Sequence, residues 1–185
     1  MTESYLADDR PWVVAYSGGK DSTLVLQLVY EMLLALGPRA TKPVHVVSSD
    51  TGVEPPNVAR YVERTLKAIE ADGKRRGLDL TCHLVRPKVE EGFWAKLIGK
   101  GYPPPTRWFR WCTTNMKIKP SRRAIDGIVA RHVSVILLLG TRRAESSARA
   151  ARMDRRVSNL RNLNPHHVTL PACSASHSRI KSAQE

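Results

Sequence analysis

Residues 12–22 read WVVAYSGGKDS, a short apolar run that stops at two glycines. Residues 12–16 predict a buried β-strand, and from Ser22 onward the apolar spacing becomes that of a helix. Gly18 and Gly19 let the main chain approach a ligand closely, so successive N–H groups can converge on an anion in front of the helix. A strand that passes into a helix through such a loop indicates an α/β domain with a phosphate-binding turn.

The side chains of this loop add further groups for a phosphate. Lys20 brings a mobile positive charge, and Ser17 and Ser22 carry hydroxyl donors. Asp21 either caps the following helix or helps to hold Mg²⁺. The alternative is an ordinary glycine turn capped by Asp and Ser, and the complete hexapeptide at a strand–helix junction argues against it. The spacing also differs from that of a Walker A loop.

The rest of the chain repeats the alternation of strand and helix. Strands are predicted at residues 12–16, 44–47, 80–85 and 133–139, and helices at 22–36, from 56 onward and at 122–132. The first of these helices is apolar on nearly all sides and is therefore expected to be buried. This order predicts an α/β fold, a doubly wound parallel sheet wrapped by helices.

One domain is expected over residues 1–158, followed by a loosely ordered or truncated tail over residues 159–185. The 185 residues are enough for one domain with its own core. Residues 99–117 interrupt the alternation with Gly, Pro, aromatic and Arg residues, and they are too long for a simple connector. From Asn159 onward the apolar periodicity fades.

The composition favours a polyanionic partner. Thirty Lys and Arg against 17 Asp and Glu leave a net charge of +13, which is typical of proteins that bind nucleic acid, although a basic surface can also serve solubility alone. The three cysteines are widely spaced and form neither a disulfide framework nor a CxxC zinc pair. A signal-peptide pattern and a bilayer-length apolar run are both missing, so we expect a cytoplasmic protein without a membrane partner.

Small polar or basic residues follow three of the predicted strands, at 17–22, 48–52 and 140–146. Because ligands of parallel sheets bind beyond the carboxyl ends of the strands, we expect the three segments to share one nucleotide site. The candidates beyond the first loop are Ser49, Asp50, Thr51, Gly140, Arg142 and Arg143. Glu145 would orient an arginine or contact the metal.

The segment 102–113 carries a second set of candidate contacts. Arg107 and Arg110 have planar guanidinium forks that suit phosphate oxygens. Aromatic rings can stack on a base or anchor the segment in the core, and the rings here belong to Trp108, Phe109 and Trp111. Cys112 lies between basic neighbours, so it is a thiol of lowered pKa, a cluster ligand or an inert buried thiol. Further cations extend this basic strip at Lys117, Lys119, Arg122 and Arg123.

The first loop resembles the PP-loop of the ATP-pyrophosphatase superfamily, which has an adenine-nucleotide alpha-hydrolase-like fold and includes phosphosulfate reductases. Within it, the combination of motifs resembles the DndC family of DNA phosphorothioation proteins, over roughly residues 12–153. The segments that carry this resemblance are Ser49-Asp50-Thr51 with Glu54, Phe93-Trp94 with Leu97-Ile98-Gly99, Gly101-Tyr102-Pro103, Pro105-Thr106-Arg107, Phe109-Arg110-Trp111-Cys112-Thr113, Met116-Lys117-Ile118-Lys119-Pro120 and Leu137-Leu138-Leu139-Gly140-Thr141-Arg142-Arg143-Ala144-Glu145-Ser146.

The resemblance implies a role in DNA sulfur modification, in which sulfur replaces a non-bridging oxygen of a backbone phosphate. ATP with Mg²⁺ would activate that phosphate by adenylation and release pyrophosphate. The implied partners are DNA, a sulfur donor of the cysteine desulfurase type and other phosphorothioation proteins. The residues expected to act are Lys20, Asp21, Arg107, Arg110 and Arg142, with Asp21 as the candidate Mg²⁺ ligand.

The chain also departs from that family. Its members are longer and are thought to hold a 4Fe–4S cluster through four cysteines, of which Cys112 matches the first. Because one thiolate cannot hold a cluster, we expect an incomplete cluster site, and Cys173 lies in a tail without alignable motifs. Two alternatives stay open. One is a phosphosulfate reductase, whose Glu-Cys-Gly-x-His motif is not found in the sequence, and the other is a nucleotide- or DNA-binding fragment without turnover.

Overall fold

The computed structural model describes residues 1–142, 144, 146–147, 149–151 and 153–155. The expected tail at 159–185 lies outside the described residues. So do three residues singled out above: Arg143, Glu145 and Cys173.

A four-stranded sheet with the order β3-β2-β1-β4 forms the centre of the fold. Its strands are β1 (Trp12–Ala15), β2 (Val44–Ser49), β3 (Leu80–Val85) and β4 (Ile136–Leu139). All three neighbouring pairs are parallel, and Trp12 pairs with Val44 on one side and with Ile136 on the other. The chain therefore builds the sheet outward from β1 in one direction and then returns to add β4 on the opposite side.

Helices cover both faces of this sheet. They are α1 (Thr2–Leu6), α2 (Lys20–Leu36), α3 (Pro56–Arg75), α4 (Trp111–Thr113) and α5 (Lys119–His132). Val14 of β1 belongs to the core shared with α2 and α3, whereas its neighbour Val13 packs against α5. Both valines are fully buried, as expected for a strand whose two faces are both covered. The doubly wound parallel α/β fold predicted from the sequence is confirmed.

The segment that interrupts the alternation is built from short turns. A 3₁₀ turn at Val89–Glu91 and a π-helical turn at Ala95–Gly99 precede it, and a second π-helical turn at Thr114–Ile118 connects α4 to α5 without a break. A further 3₁₀ turn at Gly37–Arg39 follows α2, whose predicted end at Leu36 is confirmed. None of the helices that the structure describes is long and apolar enough to cross a membrane.

The prediction that α2 is buried on all sides is wrong. Leu24 is 53% exposed, and Leu28 and Leu34 are also partly open to solvent. The helix lies on the outside of the sheet, so only the side that carries Val25, Val29 and similar residues meets the core. Apolar content alone therefore overstated how much of the helix is covered.

The fourth strand is also shorter than predicted, because residues 133–135 do not belong to it. Val133 ends α5 with a φ of +66° and is 84% exposed. The N–H of Ser134 donates to the carbonyl of His132 at 2.7 Å, which makes Val133 the centre of a tight three-residue turn. A run of β-branched residues predicts a strand. Val133, the first residue of this run, instead forms the turn in which the chain changes direction between α5 and β4.

A pair of histidines on β2 and β3, one of them buried, lies near the end of α5. His45 of β2 is 6% exposed, and its Nδ1 lies 3.3 Å from Nε2 of His83 in β3. No described residue is within hydrogen-bond distance of Nε2 of His45. The pKa of His45 is lowered to about 4, first by burial and further by positive charge on His83, Arg131 and His132.

This pair predicts a loss of stability in mild acid. His45 titrates near 6.5 when unfolded and near 4 when folded, so between these values the unfolded chain binds more protons. The free energy of unfolding should therefore fall as the pH drops from about 6.5 to about 4, by up to about 3 kcal/mol. Urea unfolding of the wild type and of His45→Leu over this range measures it. A pH slope equal in both proteins would contradict the assignment.

Candidate nucleotide-binding site

A cavity of about 340 Å³ opens where all four strands end. This volume is at the small end of the range for small-molecule sites, roughly 300–1,000 Å³. The structure brings residues from each of the three predicted segments into its wall: Ser17, Ser22, Ser49, Asp50 and Gly140. The strands after β1 are added on one side of it up to β3, and β4 is then added on the other side. Open α/β sheets bind their ligands at such a reversal of the strand order, here between β1 and β4.

Gly18 fixes the course of the loop after β1. Its φ is +74°, and a Cβ built there would lie 2.7 Å from Cγ2 of Val62 in α3. A side chain at this position would meet both a strained backbone and a packed neighbour. The loop is therefore pressed against α3, one side of the cavity.

The Ser22 side chain holds the loop together from inside. It is buried, and its Oγ donates to the carbonyl of Gly19 at 2.8 Å. The same oxygen lies 3.2 Å from the donating N–H of Ser17 and 3.0 Å from the Ser17 hydroxyl. Because Ser22 has a single hydroxyl proton and gives it to Gly19, Ser17 is the donor between the two hydroxyls. Both hydroxyl protons are used within the loop, so these serines shape it and do not present free donors to a phosphate.

The free donors are main-chain N–H groups. No described residue accepts a hydrogen bond from the N–H groups of Gly18, Gly19, Lys20 or Asp21. They lie at the N-terminus of α2, a 17-residue helix whose dipole adds partial positive charge at this end. Successive amides before a helix N-terminus form an anion site, and a diphosphate is the kind of group it accommodates.

Gly140 lets the end of β4 approach the start of α2 closely. A Cβ on Gly140 would lie 2.5 Å from the carbonyl oxygen of Asp21 and 2.8 Å from the nitrogen of Ser22. Two residues further on, Nε of Arg142 donates to Oδ2 of Asp21 at 2.9 Å. The segments after β1 and β4 thus form one contiguous wall, and Arg142 lies next to the anion site.

The end of β2 is organised around two carboxylates. Oε2 of Glu54 accepts both the N–H and the hydroxyl of Thr51, at 3.0 and 2.5 Å. Asp50 accepts from the N–H of Gly52 at 3.0 Å and from Nε of Arg86 at 2.7 Å. Burial by itself would raise the pKa of Asp50, but the hydrogen bonds from Arg86 and Gly52 outweigh it and lower the pKa. Asp50 is therefore held as a carboxylate at the rim of the cavity.

Several polar residues in this wall were missed from the sequence, among them Arg86 and Ser121. Arg86 follows β3 directly, so the rule that residues after strand ends form the site would have found it. Ser121 of α5 lies 2.8 Å from the Ser49 hydroxyl, and Lys117 of the π-helical turn also lines the cavity. Lys117 was assigned only to a basic strip, because nothing in the sequence shows that the π-helical turn directs it towards the strand ends.

Other predicted residues lie away from this cavity. Lys20 is exposed at the start of α2. The described candidates that do not contribute to the cavity wall include Gly18, Gly19, Lys20, Asp21, Thr51, Arg107, Arg110 and Arg142. Trp111 is a core anchor, 6% exposed, with its Nε1–H donating to the carbonyl of Pro103 at 3.0 Å. Trp108 is the opposite case, with 90% of its surface exposed.

The described residues do not fit a 4Fe–4S cluster. Within them no three His, Cys, Asp or Glu side chains come together in a way that could hold a metal ion. Two thiols are described, and burial raises the pKa of Cys82 in β3 to about 12, which disfavours the thiolate that a cluster needs. Mg²⁺ places smaller demands on the protein, since it is commonly held by one or two carboxylates together with substrate phosphates. Asp21 is the candidate predicted from the sequence, and its Oδ2 accepts from Nε of Arg142.

Comparisons with protein families, other sequences and solved structures find proteins that are similar to this chain. Residues 11–171 match the phosphoadenosine phosphosulfate reductase domain. The uncharacterized protein MJ0066 of Methanocaldococcus jannaschii is 35% identical over 152 residues, which are 82% of this chain and 27% of that protein. This chain therefore spans about a quarter of that relative's length. Among solved structures, a universal stress protein family member from Burkholderia pseudomallei is 17% identical, with a TM-score of 0.36 over 80% of this chain and 90% of that chain.

Proposed function

The chain belongs to the phosphoadenosine phosphosulfate reductase domain family, and from this premise we propose that it activates a DNA backbone phosphate with ATP for sulfur incorporation. The family match supports the coarser part of this proposal, an enzyme that uses an adenine nucleotide in sulfur chemistry. The finer part, DNA phosphorothioation of the DndC kind, is supported by the motifs of residues 12–153 and by the net charge of +13.

One observation carries the proposal: the N–H groups of residues 18–21, in the loop and first turn of α2, have no acceptor among the described residues, and Ser17 and Ser22 on either side of them line a cavity large enough for a small ligand. These amides would stabilise the negative charge that develops on departing pyrophosphate. Lys20 is exposed at the same helix end, so its ammonium group would add positive charge beside these amides. Mg²⁺, when bound with Asp21 as a ligand, would neutralise further phosphate charge.

The proposed reaction has two steps. A non-bridging oxygen of the DNA phosphate attacks the α-phosphorus of ATP, and the bond to the β-phosphate oxygen breaks, which releases pyrophosphate. The terminal sulfur of a partner's persulfide then attacks the DNA phosphorus, and AMP departs with the oxygen. A second thiol of the donor cleaves the S–S bond, which leaves sulfur on the phosphorus and a disulfide on the donor. In this scheme Arg142, Arg107 and Arg110 hold the phosphates in position.

Product analysis of labelled ATP with and without DNA tests this function. AMP and pyrophosphate are the expected products, and Lys20→Ala should slow their formation at least about tenfold because one charge at the leaving group is lost. Lys74→Ala is the matched control, since Lys74 is a well exposed lysine at the far end of α3. Formation of ADP, or equal pyrophosphate release by wild type and Lys20→Ala, would count against adenylation at this loop.

A second candidate is reduction of a phosphosulfate, which the name of the matched family favours about equally. The same amides would then bind a phosphate of the nucleotide, and a cysteine thiol would have to attack sulfur. Incubation with phosphoadenosine phosphosulfate and a dithiol distinguishes the two. Sulfite release without conversion of ATP to AMP would favour the reductase.

The third candidate is a fragment that binds nucleotide or DNA for a larger complex without turnover. The net charge of +13 favours it, since each neutralised DNA phosphate releases counterions and makes binding salt-dependent. DNA binding that falls steeply with salt, in the absence of any ATP or phosphosulfate turnover, would support this role.

A further inference from the structure

A second cavity of about 350 Å³ lies beside the nucleotide cavity. Asp50 and Arg86 line both cavities. Because Nε of Arg86 donates to Oδ2 of Asp50 at 2.7 Å, their ion pair forms the wall between the two spaces. The Arg86 side chain is still largely exposed, so its remaining guanidinium N–H groups can meet an anion.

Aromatic rings form part of the wall of the second cavity. Trp94 lines it and is 59% exposed. Its ring meets Phe93 edge-to-face with centroids 5.1 Å apart, and Phe93 in turn stacks on buried Trp111 at 5.5 Å and 22°. Trp94 is therefore an exposed indole supported by two rings that end in the core, and a ligand that stacks on it loses little side-chain entropy.

The remaining wall specifies the kind of occupant. Val53, Pro87 and Val89 are apolar, while Arg86 and Lys88 contribute positive charge. A ligand with a flat aromatic body and a neighbouring anionic group satisfies both features, since the ring stacks on indole and the anion meets the cations. The net charge of +13 favours a polyanion as the source of such a group.

We infer that the second cavity receives one unstacked nucleobase of the nucleic-acid acceptor, with Trp94 as its stacking platform. Arg86 contacts the adjoining phosphate at the wall shared with the nucleotide cavity. The inference rests on the proposed function, from which it takes the nucleic-acid strand as acceptor. It adds that the strand is bound through an exposed base, so single-stranded or locally opened nucleic acid is the substrate.

Fluorescence anisotropy of a labelled single-stranded DNA oligonucleotide on the full chain tests the inference. Trp94→Ala should weaken binding about tenfold. Leu6→Ala is the control, because Leu6 is an exposed apolar residue of α1 that lines neither cavity, and it should change the affinity by less than about twofold. An oligonucleotide with abasic sites keeps its phosphates but offers no bases, so wild type should bind it about as weakly as Trp94→Ala binds the intact strand. Circular dichroism confirms that each variant is folded.

Several results would overturn the inference. These are a failure of the wild type to bind the oligonucleotide, unchanged affinity in Trp94→Ala, or equal losses in Trp94→Ala and Leu6→Ala. A weaker affinity of Trp94→Ala for a non-hydrolysable ATP analogue would also overturn it, because the cavity would then hold the base of ATP itself. AMP formation by the wild type is measured separately, so loss of the proposed enzymatic function and loss of this base site give different results.

Discussion

A Gly140→Ala variant is expected to lose nucleotide affinity roughly a hundredfold. The new Cβ would lie 2.5 Å from the carbonyl oxygen of Asp21 and 2.6 Å from its carbonyl carbon, closer than non-bonded atoms can approach. Both atoms belong to the main chain, so no side chain can turn away to relieve the contact. The first turn of α2 must therefore move, and it carries N–H groups of the proposed anion site.

The same change should lower the free energy of unfolding by about 1–3 kcal/mol, the usual cost of an overpacked position. Isothermal titration with a non-hydrolysable ATP analogue measures the affinity, and urea unfolding measures the stability. Gly127→Ala provides the matched control, since Gly127 lies in α5 with nothing within 4 Å of its Cβ position. Alanine favours a helix over glycine, so the control should be neutral or stabilising. Wild-type affinity in a folded Gly140→Ala protein would show that the close approach is not needed for binding.

Gly18→Ala is expected to destabilise the protein by about 2–4 kcal/mol and to weaken nucleotide binding in parallel. Two costs add here. The φ of +74° is unfavourable for alanine by about 1–2 kcal/mol, and the methyl group would lie 2.7 Å from Cγ2 of Val62. Unlike the contact at Gly140, this one is made by a side chain, so it can be removed by a second substitution.

A double-mutant cycle with Val62→Ala separates the two costs. Val62→Ala alone removes buried contacts and destabilises the protein. In the double variant the clash is gone and only the backbone strain is left, so the two changes together should cost about 1–2 kcal/mol less than their sum. Urea unfolding of the four proteins measures this coupling. Strict additivity would mean that the loop does not pack against α3 as the structure has it.

The shared property of these glycines is that they set the distance between main-chain segments. Gly18 lets the loop lie on α3, and Gly140 lets the end of β4 lie against the start of α2. Ser22 completes the arrangement by accepting from Ser17 and donating to Gly19. The free amides are thus held in place from three directions, which allows them to bind charge without reorganising.

Part of the cavity wall was predictable because local rules apply to it. The expectation that ligands bind beyond strand ends selected Ser49, Asp50 and Gly140, and all three line one cavity. The same rule, applied to the third strand, would have added Arg86. The roles of Ser17 and Ser22 were not predictable, since only the distances show that their hydroxyl protons are used within the loop.

The predictions that were wrong concern features set by distant neighbours. The exposure of Leu24 on α2 depends on which side of the helix faces the sheet and on the absence of a further layer among the described residues. The turn at Val133 depends on the relative orientation of α5 and β4, the two elements that it connects. Apolar spacing reports the tendency of a segment and carries no information about what covers it.

The sequence by itself determined the class of the fold and the position of the Gly-Gly loop between strand and helix, because alternating apolar runs and a Gly-Gly turn before a helix are local properties of the chain. The tertiary structure alone decided which side chains share the cavity. Contacts such as Arg142 with Asp21 and Arg86 with Asp50 join residues 121 and 36 positions apart. Those contacts exist because a parallel sheet brings the carboxyl ends of all its strands to one edge, wherever these residues lie in the chain.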